Sequence, residues 1–385
     1  MILRRRIRTA SPLTLFSVHY RLAAVLLLLL APFLLGFSPP GITASDEALA
    51  PLRPSELKKM LEIQRPDLTA SAALIMDAAT GKVVFEKQSH QRRAPASITK
   101  MMTAIVALEK GKLTDKITVP WIDLPEESSM GLAWGDVLTL EDLLWGLLLP
   151  SGNDAATVIA YSVGGGSMNA FVDMMNQKAS QMGLKDTHFV NPHGLDEEDH
   201  YSSAYDLAVI ARYAMNNPTF AKIVGTRSYT VKASRIFYLT NSNFLLRPQN
   251  ESIGADGIKT GFTDDAGDSI VASATRDGRR VIVVALDTAD RTAEAIKLFN
   301  FAFDTYEWVE LSLPPYLVAN DGEGKHRPVV LKDPRYEYLP AWAVDRLLPV
   351  LSVARDAVVQ TGKTIGSASY WDGQSTLASI PLNVR

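Results

Sequence analysis

Residues 94–109, APASITKMMTAIVALE, contain the most informative pattern in the chain. Its apolar residues recur at helical spacing: Ile98, Met101, Met102, Ile105 and Leu108. The pattern predicts a helix from Ser97 to Glu109. Ser97 and Lys100 are three positions apart, so both side chains point the same way from the start of this helix.

This spacing suits nucleophilic chemistry. A serine hydroxyl is a poor nucleophile unless a base lies beside it, and a neutral lysine can be that base. Burial and a second cation both lower the pKa of a lysine, and amides at a helix N-terminus favour a developing oxyanion. Alone, Ser97 and Lys100 fit equally an N-cap followed by a surface lysine. Ser55 and Lys58 have the same spacing without any chemistry being assigned to them.

Two further short patterns follow along the chain. Ser151-Gly152-Asn153 lies between two predicted helices, where a hydroxyl could pass protons and the Asn153 amide could bind a substrate amide. Ordinary helix capping explains it as well.

Lys259-Thr260-Gly261 is predicted at a strand edge. There Lys259 could hold a carboxylate and keep Lys100 deprotonated by repulsion, and Thr260 could donate a hydrogen bond. Gly261 would let a substrate backbone approach closely. In isolation, a turn with an exposed lysine is the simpler interpretation.

The order S-x-x-K, S-x-N, K-T-G is that of the penicillin-binding proteins and serine β-lactamases. The sequence segments around the motifs narrow this resemblance to one family. Residues 94–109, 147–160, 175–213 and 256–286 resemble the low-molecular-mass D-alanyl-D-alanine carboxypeptidases, and the likeness runs from about Ala70 to Tyr306. Residues 361–382 are similar, more weakly, to the end of that family's β-rich C-terminal domain.

The resemblance implies a reaction. The penultimate D-alanine carbonyl of a peptidoglycan stem peptide would acylate Ser97, with Lys100 taking the serine proton. Ser151 would relay a proton toward the departing D-alanine. Water would then release the shortened peptide. Pentapeptide stems would be substrates and β-lactam antibiotics covalent inhibitors. No metal or organic cofactor is implied.

The resemblance also assigns substrate contacts. Lys259 and Thr260 would bind the terminal carboxylate of the substrate. Arg291 matches the position of a family arginine that also contacts this carboxylate. A surface arginine at a helix start is the competing interpretation of Arg291. The backbone N–H groups of Ser97 and Phe262 would form the oxyanion hole.

Three departures from the family pattern affect rate and specificity. Tyr205 stands where arginine is usual, Phe262 replaces a frequent polar residue, and Asp268 lies where an aromatic or apolar residue is commoner. The family often ends in an amphipathic membrane helix. This chain stops at Arg385, and we expect no C-terminal anchor.

The predicted fold class is α+β. Strands come early and late with helices between them, which favours an antiparallel sheet covered by helices. The resemblance makes this sheet β-lactamase/transpeptidase-like. We expect the carboxypeptidase domain at 45–306 and a small, mostly β domain at 307–385, after a boundary near Pro314-Pro315. Short strands are predicted there at Pro328–Leu331, Ala357–Gln360, Ile365–Tyr370 and Leu377–Pro381.

The N-terminus predicts secretion. Arginines precede an apolar run at 22–37: Arg4, Arg5, Arg6, Arg8 and Arg21. Basic then apolar is the order of a signal peptide, with cleavage after Ala44, or of an uncleaved signal anchor that would leave the protein on the membrane. Either places the bulk of the chain in the periplasm or cell envelope.

Composition excludes other classes of protein. The 385 residues carry 39 basic and 42 acidic side chains, a net charge of −3 that does not favour nucleic acid. Cysteine is absent, which excludes disulfides, a thiolate nucleophile and cysteine-bound metals.

Three rival interpretations stay open. His188 or His193 could serve a Ser-His-Asp triad, although Lys100 already lies one turn from Ser97. A class A β-lactamase would need a deacylating glutamate in an E-x-x-L-N loop, and residues 151–259 contain none; the nearest acids are Glu197 and Glu198. A non-catalytic sensor of wall peptides or β-lactams would not need the full set of motifs.

Overall fold

A computed structural model describes residues 63–313, 317–321, 323–333, 335–344, 347, 349–354, 357–371 and 376–385. The predicted signal segment and the Pro314-Pro315 boundary lie outside these residues. The described chain forms two compact units. The larger comprises described residues up to Val309 together with Tyr336–Val344, and the smaller lies within Glu310–Arg335 and Asp345–Arg385. The sequence placed 336–344 in the C-terminal domain, and the 306/307 boundary itself stays a prediction.

The larger unit has strands early and late in the chain with most of its helices between them, as the sequence suggested. Its strands are β1 (Ala72–Asp77), β2 (Val83–Lys87), β3 (Lys116–Thr118), β4 (Val137–Thr139), β5 (Ser228–Lys232), β6 (Ile236–Thr240), β7 (Ala255–Gly261), β8 (Asp268–Arg276), β9 (Arg279–Thr288), β10 (Tyr306–Glu310) and β13 (Tyr336–Pro340). Its helices are α1 (Lys100–Lys110), α2 (Leu140–Leu148), α3 (Asn153–Val163), α4 (Met168–Gln181), α5 (Ala204–Met215), α6 (Pro218–Val224), α7 (Arg291–Thr305) and α8 (Ala341–Val344).

Five strands form the central sheet in the order β2-β1-β9-β8-β7, and every neighbouring pair is antiparallel. Strands β1, β8 and β9 have long runs of buried residues, and their side chains alternate between two cores. In β9, Ile282 and Val284 face the core shared with α1–α6, whereas Val281 and Val283 face the core shared with α7. The predicted fold class, a sheet covered by helices, is therefore confirmed.

The start of the predicted 97–109 helix differs from a regular α-helix. Ala96–Thr99 is a 3₁₀ turn, and α1 begins at Lys100. Ala96 has a positive φ of 48°, unusual for a residue with a side chain. This unusual backbone directly precedes Ser97, at the start of a helix whose first two turns are buried.

The smaller unit is a five-stranded antiparallel sheet in the order β11-β12-β16-β15-β14. Its strands are β11 (Val318–Asn320), β12 (His326–Leu331), β14 (Pro349–Val353), β15 (Thr364–Trp371) and β16 (Thr376–Val384). The strand predicted at Ala357–Gln360 is wrong. Those residues belong to no strand, and the Gln360 carbonyl accepts a hydrogen bond from the nearby Lys363 N.

Candidate active site

Ser97 and Lys100 are in direct contact at the start of α1. Lys100 Nζ lies 2.8 Å from Ser97 Oγ. The 3₁₀ turn places the two side chains on one face, and Lys100 is fully buried. The contact that the S-x-x-K spacing anticipated is thus present, and Lys100 is a buried residue rather than a surface lysine.

Two other oxygens surround the same nitrogen. Lys100 Nζ donates to Asn153 Oδ1 at 2.6 Å and to the backbone carbonyl of His193 at 2.7 Å. The Asn153 amide is oriented by its own Nδ2, which donates to Glu127 O at 2.8 Å. Both partners therefore only accept hydrogen bonds. A neutral amine would use its two N–H groups on them, which leaves its lone pair for the hydroxyl proton of Ser97.

The surroundings favour that neutral form. Burial is the main cause that holds the pKa of Lys100 well below its ordinary value, and the positive charge of Lys259 lowers it further. The Asp154 carboxylate acts in the opposite direction. Asp154 is itself buried and accepts hydrogen bonds from Ser129 Oγ and from backbone N–H groups of the neighbouring loop.

Glycine at position 194 makes this arrangement possible. Its φ is +88°, and a Cβ there would lie 1.8 Å from the carbonyl oxygen of Ala96. The chain can therefore run against the turn that carries Ser97, and this close approach brings the His193 carbonyl to Lys100.

Ser151 lies in the loop between α2 and α3, directly before Gly152 and Asn153. Its φ is +67°, and its hydroxyl oxygen is buried without a hydrogen-bond partner among the described residues. Buried hydroxyls are normally hydrogen-bonded. The structure therefore does not join Ser151 to Ser97 or Lys100 by a direct bond, but leaves an unused hydroxyl in the same neighbourhood.

The third motif ends strand β7. Lys259 is buried, and its Nζ donates to Thr260 O at 2.9 Å. Burial, with a smaller effect of Arg291, lowers the pKa of Lys259 to about 7. Thr260 Oγ1 lies 3.0 Å from Ser242 Oγ. A Cβ added at Gly261 would lie 3.1 Å from atoms of Pro95, Ala96 and Ile98, so the strand end packs on the turn of Ser97.

Arg291 begins helix α7, with its guanidinium turned to β7 and β8. Arg291 Nη1 lies 2.7 Å from Asp268 Oδ1 and 3.3 Å from Gly261 O. The backbone N–H of Arg291 also bonds Asp268 Oδ2 at 2.9 Å. Arg291 is therefore near the third motif and is paired with an acid. The Phe262 side chain, next in sequence, is 63% exposed.

The histidines do not assemble a triad. His188 Nδ1 lies 2.7 Å from Asp199 O, and the His193 ring accepts from the backbone N–H of Leu195. Burial is the main cause that lowers the pKa of His193 to about 3, so its ring is neutral. Both serve as loop hydrogen-bonding residues.

Several groups at the site belong to none of the three sequence motifs. The His193 carbonyl is a backbone atom, and only the glycine after it gives a sequence signal. Asp154 stands in the first turn of α3 and resembles an ordinary capping acid. Ser242 is flanked by two asparagines, but nothing in that pattern indicates that it contacts Thr260.

Known proteins resemble this chain in sequence. A family model described as D-alanyl-D-alanine carboxypeptidase matches residues 59–290. D-alanyl-D-alanine carboxypeptidase DacF of Bacillus subtilis is 36% identical over 295 residues, 73% of this chain and 70% of that protein. DacD of Escherichia coli is 38% identical over 264 residues, 64% of this chain and 66% of that protein. The chain thus spans about two thirds of the length of these relatives.

Solved structures of related enzymes also resemble this chain. The carboxypeptidase DacD of Francisella tularensis has a TM-score of 0.67 at 30% identity, covering 84% of this chain and 95% of that one. The DD-transpeptidase of Streptomyces K15 has a TM-score of 0.59 at 34% identity, covering 63% of this chain and 99% of that one. With its serine–lysine pair and matching sequence, the chain belongs to the D-alanyl-D-alanine carboxypeptidase family of serine peptidases.

Proposed function

We propose that this protein removes the terminal D-alanine from peptidoglycan stem peptides through an acyl-enzyme on Ser97. The observation that carries the proposal is the 2.8 Å contact between Ser97 Oγ and the buried Lys100 Nζ. Family membership supplies the substrate class. The larger unit contains the groups proposed for both steps, acylation and deacylation.

Acylation begins at the serine. Ser97 Oγ attacks the carbonyl carbon of the penultimate D-alanine while its proton passes to Lys100 Nζ. The backbone N–H groups of Ser97 and Phe262 stabilise the oxyanion of the tetrahedral intermediate. The C–N bond then breaks, and Lys100 Nζ passes its proton to the leaving D-alanine amine through Ser151, whose hydroxyl has no described partner; Lys100 is then neutral again.

Deacylation repeats these steps with water. A water molecule attacks the ester carbonyl and gives its proton to Lys100, and Ser97 Oγ leaves and recovers a proton. Asn153 and the His193 carbonyl hold the amine in place throughout, because both accept its N–H groups. Asn153 thus positions Lys100 and also offers its amide to the substrate.

The substrate carboxylate binds at the end of β7. Charged Lys259, the Thr260 hydroxyl and Arg291 form a cationic site for it, and Gly261 leaves space for the peptide backbone. A β-lactam carries a carboxylate at the equivalent place and acylates Ser97 in the same way. The site lies in an enzyme that we expect to be secreted to the cell envelope; among the described residues, no helix has the length and apolar character needed to span a membrane.

Release of D-alanine from a soluble pentapeptide tests the proposal. Wild-type enzyme is expected to release it, and Ser97→Ala to lose more than about 10³-fold because no acyl-enzyme can form. Ser167→Ala, at the N-cap of α4, is the matched control. Benzylpenicillin should leave a long-lived adduct on Ser97. If the wild type releases no D-alanine, the protein is better explained as a non-catalytic sensor of wall peptides or β-lactams. Rapid turnover of penicillin would favour a class A β-lactamase.

The pH dependence of kcat/KM should be bell-shaped. Activity rises with pH as Lys100 loses its proton and becomes a base, and it falls again above about pH 7 as Lys259 loses the charge that holds the carboxylate. Lys259→Arg should move the alkaline limb upward because arginine stays charged. Lys232→Arg, an exposed change on β5, should not. If the alkaline limb does not move in Lys259→Arg, the fall in activity at high pH comes from the titration of another group.

Asp268 should weaken carboxylate binding by pairing with Arg291. Asp268→Asn keeps a side-chain oxygen for the Arg291 N–H but removes the charge, so KM for a carboxylate-ended peptide should fall about twofold to fivefold. The same peptide ending in an amide should show no change. Asp264→Asn alters net charge equally at an exposed position and is the control. Equal effects of both variants would contradict a specific role.

A further inference from the structure

Two exposed tryptophans lie on the loop of residues 120–136, which joins β3 to β4. Trp121 is 80% exposed and Trp134 49% exposed. Their ring centroids are 3.9 Å apart at 34°. Exposing two adjacent indoles forgoes burial that would stabilise the fold, and such patches on a soluble protein mark binding surfaces.

Several hydrogen bonds and an ion pair connect the loop around this pair to neighbouring segments. Trp134 Nε1 donates to Ile122 O at 2.8 Å. The buried Asp154 carboxylate accepts from Ser129 Oγ at 2.5 Å and Leu132 N at 2.9 Å. Asp136 forms an ion pair of 3.0 Å with Arg235 of the β5–β6 hairpin. The tryptophan pair is thus presented on a preorganised surface, which lowers the entropy cost of binding.

A cavity of about 440 Å³ adjoins the pair. Trp134 lines it together with Asp123, Glu126 and Ser129. The volume is in the range of small-ligand sites. The cavity therefore combines an aromatic ring with carboxylates, which accept hydrogen bonds, and a hydroxyl, which can donate or accept.

The same loop reaches the reaction centre. Glu127 O accepts from Asn153 Nδ2, and Ser128 O accepts from Asn153 N at 2.6 Å. Asn153 in turn contacts Lys100. A molecule bound beside Trp134 would therefore lie next to the part of the loop that shapes the active site.

We propose that the cavity and the Trp121–Trp134 pair bind a sugar ring of the glycan strand that carries the stem peptide. This rests on the proposed function, because stem peptides are attached to that strand. A sugar offers hydroxyl donors to carboxylates and a C–H face to an indole. The acids Asp123 and Glu126 disfavour phosphate groups and anionic lipid surfaces, the other common partners of exposed tryptophan.

D-alanine release from two substrates tests the site. One is a soluble pentapeptide without sugar, and the other is the same pentapeptide on a glycan chain. Trp121→Ala should lower kcat/KM about fivefold for the glycan-linked substrate, the size of a lost aromatic contact, and leave the free peptide unchanged. Trp134→Phe, which keeps a ring, should lose less than Trp134→Ala. Tyr238→Ala, an aromatic that is 81% exposed on β6, is the control.

The outcomes separate this proposal from the first. Equal losses on both substrates would mean that the loop contacts the peptide, and no loss on either would mean that the pair binds no sugar; both results overturn it. If the wild type releases D-alanine from neither substrate, the proposed function fails. Tryptophan fluorescence titration with peptide-free glycan oligosaccharides then decides the sugar site alone: binding lost in Trp121→Ala supports it, and no binding by wild type overturns it.

Discussion

The contact between Lys100 Nζ and Ser97 Oγ constrains the rest of the site. A lysine acts as a base only when it is neutral, and in water it is charged at neutral pH. The fold meets this constraint by burying Lys100 and placing the cationic Lys259 nearby, which together lower its pKa. It then gives the amine two acceptors, Asn153 Oδ1 and the His193 carbonyl, so that only the serine can supply a proton. Each of these groups comes from a different segment of the larger unit.

Bringing those segments together requires backbone that is strained or unusually close. Ala96, Ser128 and Ser151 all have positive φ values, a conformation that costs a side-chain-bearing residue about 1–3 kcal/mol. Each flanks a group of the site. Gly194 and Gly261 approach the Ser97 turn where a Cβ would collide or crowd. The large core between the sheet and α1–α6 provides the stability that holds these positions. Three of the seven described non-glycine residues with positive φ therefore lie beside the groups of the proposed reaction centre.

Sequence predicted the repetitive features well and the long-range ones poorly. The apolar period of residues 98–108 reports local geometry, so the helix that carries Lys100 was found. The strand predicted at Ala357–Gln360 failed because a short apolar run does not distinguish a strand from a turn. Asp268 was noticed as a departure, but its pairing with Arg291 depends on how two distant segments pack. The His193 carbonyl carries no side-chain signal, so no motif could include it.

The role of Lys100 as the base is tested by the second-order rate of Ser97 acylation by benzylpenicillin in Lys100→Ala. The adduct is followed by intact mass and mapped to its residue, with Lys110→Ala at the exposed end of the same helix as control. Loss of the base predicts a rate at least about 10²-fold below wild type, with the control unchanged. Undiminished acylation in Lys100→Ala would contradict the account.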